Sequence, residues 1–168
     1  SGWVLAWIPS DLTELKIPKE VSLLTCIGEE GPFYGSALKT VTFEAGRTKP
    51  LTLASYIFYG AKNLESVSLP DNTVSIGNYA FYNCTSLREL VLPASVTEIG
   101  GYAFYSCKAL TKLVIPTSVT YIGNRAFYKW QTTQTICVSF AENAVPDTFD
   151  SRWLSYCYAT VVYSYTGE

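Results

Sequence analysis

The sequence predicts an α/β repeat solenoid: one domain of stacked coils, each of about 23 residues, with a parallel sheet on one side and short helices on the other. Three observations carry this expectation. Leu64, Leu87 and Leu110 recur at an interval of 23, as do Pro70, Pro93 and Pro116, Gly77, Gly100 and Gly123, and Phe81, Phe104 and Phe127. Each repeat opens on a short alternation of apolar and polar residues, the period of a strand with one buried face. The composition, 48% hydrophobic against 15% charged, supports a packed core and excludes a disordered tail.

In chain order, residues 1–11 contain the aromatic stretch WVLAWI at 3–8, expected to cap the first coil because a terminal repeat lacks a neighbour on one face. Coils follow at 12–37, 38–63, 64–86, 87–109 and 110–132. LTELKIPKEVS at 12–22 aligns with LTKLVIPTSVT at 110–120, and the first coil closes through Ile27, Gly28 and Phe33. The second coil carries its extra residues in EAGRTKP, a bulge containing Gly and Pro. Residues 133–168 read as a degenerate coil and a C-terminal cap. There Ile136 and Val138 fall 23 after Leu113 and Ile115, Phe149 falls one residue short of the Phe slot, and ATVVYSY at 159–165 reads as a closing strand.

The coil at 87–109 shows the expected physics. Leu87, Leu90 and Leu92 alternate with Glu89 and Val91, and Pro93 ends the strand because it has no N–H to donate. Val96 and Ile99 begin a second extended stretch, with Gly100 at the corner. GYAFYSC then fits one to two helical turns, with Ala103, Phe104 and Cys107 inward and Tyr102 and Tyr105 outward. A single coil cannot bury its own Leu, Ile and Phe, but a stack aligns them in ladders along the solenoid.

The pattern LxxVxLPxxVTxIGxxAFxxC closely resembles the BspA-like leucine-rich repeats, over roughly residues 12–130. Two departures are the three-residue insertions of the first two coils, and Ala61 and Trp130 where the intervening coils have Cys84 and Cys107. The resemblance implies the horseshoe of a leucine-rich repeat and a bacterial, secreted or cell-surface (extracellular) location. It implies adhesion and the binding of an extracellular or host protein, and no catalysis.

Two surfaces are candidate binding sites. Tyr56, Tyr79 and Tyr102 form one column, continued by Arg125, and Tyr59, Tyr82, Tyr105 and Tyr128 form a second, with Tyr34 as a fifth member. A band of rings with hydroxyls at its edge suits sugar stacking or a protein hot spot, and its structural alternative is that the rings stack on one another. The sheet face should display Thr40, Thr42, Ser66, Ser68, Glu89, Val91, Lys112 and Val114. A protein partner bound through one solenoid face is the leading expectation. A polysaccharide on the tyrosine band and a passive spacer in a larger surface protein are the alternatives.

Other classes find little support. The chain has no His, which removes the commonest general base and metal ligand. It has no SxxK, no Gly-rich phosphate loop and no CxxC, so no catalytic, cofactor or metal site is expected. Glu29, Glu30, Asp147 and Asp150 are the carboxylates open to a glycosidase reading, and all lie in insertions or the cap, where solvation is the ordinary role. A net charge of -2 with scattered cations gives no reason to expect nucleic acid. No apolar run reaches the ~18 residues of a membrane span, so no direct membrane insertion is expected, and the domain should be monomeric. The lack of Met and the start at Ser1 read as marks of an excised piece of a longer product.

Five cysteines are an odd number, so at least one stays outside any internal disulfide. Cys84 and Cys107 are expected as buried free thiols, and a Cys137–Cys157 bridge across the cap is an open alternative. The sequon Asn83-Cys84-Thr85 is expected to be unmodified.

Overall fold

The computed structural model describes residues 3–4, 9–25 and 31–167, and shows a parallel β-solenoid. The residues 5–8 of the expected cap, the closing Ile27 and Gly28, and Cys26, Glu29 and Glu30 lie outside the described residues. Most coils contribute two short strands to two faces. One face is a six-stranded sheet of β1 (Trp3–Val4), β3 (Leu23–Thr25), β5 (Leu51–Leu53), β7 (Thr73–Ile76), β9 (Glu98–Ile99) and β11 (Tyr121–Ile122). The other carries four strands, β2 (Glu14–Ile17), β4 (Thr40–Phe43), β6 (Ser66–Val67) and β8 (Glu89–Leu90). It then resumes as three, β10 (Lys112–Val114), β12 (Thr135–Cys137) and β13 (Thr160–Val162).

The register follows the repeat. Thr40 faces Ser66 and Ser66 faces Glu89, while Leu113 faces Ile136 and Ile136 faces Val161. Equivalent residues therefore stack in ladders, and the interior is a set of such ladders: Leu64, Leu87 and Leu110; Ile76, Ile99 and Ile122; and the phenylalanines. Phe33, Phe58, Phe81, Phe104 and Phe127 are fully buried and stack with ring centroids 5.2, 5.1, 5.5 and 5.8 Å apart. Phe149 does not continue the stack. Trp153 does, edge-on to Phe127 at 6.0 Å, with Phe149 edge-on to Trp153 in turn.

The expected short helices are absent, and with them the α/β class. Among the described residues the one helical element is a 3₁₀ turn at Glu142–Ala144. The third side of each coil is instead a ladder of turns. The N–H groups of Tyr105 and Cys107 donate to Tyr102 and Phe104 of their own coil, but those of Tyr102, Phe104 and Ser106 donate to Asn124, Ala126 and Tyr128 of the next. An α-helix sends each N–H to its own residue four back and would leave no donor for the neighbouring coil. Left-handed residues break the helical run, at Tyr102 (φ 54°) and Ser106 (φ 55°), and likewise at Tyr79 and Asn83 and at Arg125 and Lys129. Each costs about 1–2 kcal/mol, offset by ladder hydrogen bonds of about 0.5–1.5 kcal/mol apiece and by ring stacking.

Gly77, Gly100 and Gly123 mark the corner where successive coils approach most closely. A Cβ on Gly100 would stand 2.5 Å from the backbone N of Asn78, and one on Gly123 2.4 Å from that of Gly101. The slot shared by Cys84, Cys107 and Trp130 has one task in three coils, donation to the Phe carbonyl of the coil before. The two thiols donate to Phe58 and Phe81 at 3.0 and 3.2 Å, and the indole Nε1 donates to Phe104 at 2.8 Å.

Candidate functional site

The face carrying β2 to β13 is interrupted between β8 and β10. Among the described residues, no backbone hydrogen bond joins residues 88–92 to residues 111–115, although β9 and β11 of the same two coils remain paired on the opposite face. The two coils splay on one side only. The opening is a groove of about 480 Å³, lined by Arg88, Glu89, Leu90, Val91, Lys112 and Val114 among others. Leu90 is buried in its floor, while Val91 stands 80% exposed and Val114 39%. A smaller groove under Ser66, Ser68, Leu69 and Asp71 adjoins it through Glu89 and Val91.

The structure thus brings Ser66, Ser68, Glu89, Val91, Lys112 and Val114 onto one surface, with Thr40 and Thr42 half-buried farther along it. Lys112 donates from Nζ to the Tyr165 hydroxyl at 3.1 Å and lies 4.7 Å over that ring. This hydrogen bond raises the lysine pKa. Arg88 and the floor leucines belong to this surface although sequence reasoning did not single them out. Nothing in a regular repeat marks the coil junction at which a ladder opens.

On the turn side the tyrosines form the two expected columns. Tyr56, Tyr79 and Tyr102 stack at 4.9 and 5.0 Å. Tyr59, Tyr82, Tyr105 and Tyr128 stack at 4.7, 4.1 and 5.2 Å, with Tyr34 and Tyr156 at the two ends. Rings within a column cover one another's faces and present their edges outward. Only the end members Tyr34 and Tyr156 are largely exposed, at 54% and 57%. Arg125 takes the place after Tyr102, donates to its hydroxyl at 2.7 Å, and sits among Tyr102, Tyr128 and Tyr156 at 5.4–6.0 Å.

Lys129 lies over Tyr105 at 5.2 Å and hydrogen-bonds its hydroxyl, drawing that phenol below the usual tyrosine range. Burial, then the hydrogen bond to Tyr105, pushes Tyr82 the other way. Cys84 and Cys107 are free, fully buried thiols, and burial raises the pKa of both. Cys137 and Cys157 are also unbridged. No group of three or more His, Cys, Asp or Glu among the described residues is arranged to hold a metal ion. Asp147 is exposed, and Asp150 pairs with Arg152 at 3.5 Å. No helix among the described residues is long and apolar enough to cross a membrane.

The chain belongs to the BspA-type leucine-rich repeat family. The "BspA type Leucine rich repeat region" matches it in 6 copies, over residues 9–129 and 51–158. It is similar to a crystallised leucine-rich repeat protein of T. pallidum, with 27% identity and a TM-score of 0.54 over 73% of this chain and 51% of that one. It is similar also to a leucine-rich cell surface protein of Faecalibacterium prausnitzii, with 27% identity and a TM-score of 0.55 over 76% of this chain and 39% of that one. The pneumococcal vaccine antigen PcpA shares the fold, at 21% identity and a TM-score of 0.66 over 94% of this chain and 44% of that one. The chain therefore spans about half the length of these proteins or less. No curated protein sequence matches it.

Proposed function

We propose that this domain is a binding module, displayed outside a bacterial cell, that holds a protein partner on its interrupted sheet face. The observation that carries the reading is the groove between β8 and β10. It combines an exposed apolar rim at Val91 and Val114, a leucine floor, backbone groups without ladder partners, and flanking charges at Arg88, Glu89 and Lys112. A buried apolar centre with a polar rim is how protein interfaces are commonly built. The outside location rests on the family and on the F. prausnitzii relative, whose own description is a cell surface protein.

The test is a binding screen of the purified domain, thiols reduced, against immobilised extracellular-matrix and mucosal proteins. A hit abolished by Glu89→Arg with Lys112→Glu, and retained by Tyr102→Ala with Tyr105→Ala, is the expected result. Binding that ignores the sheet-face pair and fails with the tyrosine pair would move the site to the turn side. No binding to any protein in the panel would favour the spacer role.

A further inference from the structure

The corner that joins the β11 face to the turn ladder holds a further cavity, which shares no lining residue with the sheet groove. It measures about 250 Å³, and its lining includes Asn78, Gly101, Tyr121, Asn124 and Asp150. Its origin is a single departure from the repeat. The residue after the corner glycine is Asn78 in the third coil and Asn124 in the fifth, but Gly101 in the fourth. Gly101 is not demanded by its backbone. Its φ lies outside the left-handed region, while a Cβ there would stand 3.1 Å from the Asn124 carbonyl oxygen, itself held by the Tyr102 N–H, and 3.5 Å from Asn78 Oδ1. The missing side chain leaves a notch between two asparagines.

The groups around the notch are suited to a polyol. Asn78 Oδ1 accepts the Gly101 N–H at 2.7 Å, which fixes that amide and leaves its NH₂ uncommitted. The Asn124 amide oxygen is buried and has no hydrogen-bond partner, an unmet acceptor beside the notch. Asp150 accepts the Arg152 N–H with Oδ1 and retains a second carboxylate oxygen. Tyr121 is 43% exposed and, unlike the column tyrosines, has no aromatic neighbour among the described residues covering its ring. We propose that this notch is a carbohydrate subsite that takes one pyranose unit, its C–H face on the Tyr121 ring and its hydroxyls on Asn78, Asn124 and Asp150. Amides and a carboxylate exchange donors and acceptors with vicinal hydroxyls, while the ring covers the apolar face of the sugar. Tyr79 and Tyr102 also line the notch, but they stack on one another at 5.0 Å, so the ring faces between them are covered and Tyr121 is left to take the sugar.

The experiment is saturation-transfer NMR on the whole domain, with a panel of methyl glycosides of neutral hexoses, N-acetylhexosamines and uronates at millimolar concentration. At least one should receive transfer at its ring C–H protons. Tyr121→Ala and Gly101→Asn should each weaken that binding by at least about tenfold. Gly101→Asn restores the residue of the neighbouring coils, and its melting temperature is measured beside its binding, so that loss of binding is separated from loss of fold. Glu89→Arg with Lys112→Glu should leave the transfer intact, which separates this subsite from the sheet-face reading. No transfer to any glycoside, or transfer that persists in either notch variant, overturns the proposal.

Discussion

Replacing Phe104 with Ala removes the ring from the middle of the interior phenylalanine stack. The side chain is fully buried between Phe81 and Phe127, at 5.5 and 5.8 Å and within 6° of parallel to both. Losing the burial costs about 1.5–3 kcal/mol, and losing two ring pairs about 1–3 kcal/mol more. The neighbouring coils cannot close over the gap. The Phe81 N–H is held by the Ala103 carbonyl, and the Phe104 N–H by Ala126, so the backbone spacing is set by the ladder. The cavity should therefore persist, and the total should fall at about 3–5 kcal/mol, the usual range for a buried Phe→Ala change. The assay is guanidinium unfolding followed by far-UV circular dichroism, with the slope checked for constancy before midpoints are compared. Tyr105→Ala is the comparator. It also loses two stacked neighbours, but from a partly exposed position, and should cost only about 1–3 kcal/mol. A cost below about 1 kcal/mol for Phe104→Ala, or a larger one for Tyr105→Ala, would refute the assignment of these columns as core and surface.

Two further outcomes follow from the same geometry. Gly100→Ala should destabilise by at least about 1–3 kcal/mol in the same unfolding assay, because its Cβ would meet the Asn78 backbone at 2.5 Å. A neutral result would remove the close-packed corner. Burial raises the Cys84 and Cys107 thiols above their ordinary pKa of about 8.5. The unfolded chain thus releases these protons first. Their contribution is fully present below that pH and declines above it, by up to about 1.4 kcal/mol per pH unit for each thiol. Unfolding midpoints measured from about pH 8 to pH 10 should fall in the wild type, and fall less in Cys84→Ala with Cys107→Ala. Equal slopes in the two proteins would contradict the burial.

Much of the scaffold was legible because a 23-residue period places chemically equal residues opposite one another in any stacked fold. The pairing of Leu113 with Ile136 and the interior run of phenylalanines follow from spacing alone. The third side of the coil was misread for a definite reason. A stretch such as GYAFYSC has the three- and four-residue spacing of an amphipathic turn, and local pattern favours a helix there. Yet the deciding term is the hydrogen-bond demand of the next coil, which local sequence does not display. Once Tyr102, Phe104 and Ser106 donate across coils, a helix is no longer available to them. The tyrosine columns were visible as columns, but whether their rings offered faces or edges depended on side-chain stacking.

What the sequence determined by itself was the repeat, its register and the identity of the ladder residues, since all three depend on spacing along one chain. What only the tertiary structure decided was where the regularity fails. The opening between β8 and β10 arises from how one coil sits on the next, and the Gly101 departure, visible in the sequence, becomes a notch only because stacking sets it between Asn78 and Asn124. The candidate binding surfaces lie at these two places because a ladder complete in its hydrogen bonds and packing has little left to offer a partner, whereas one that is interrupted leaves backbone groups, apolar side chains and amides unmatched.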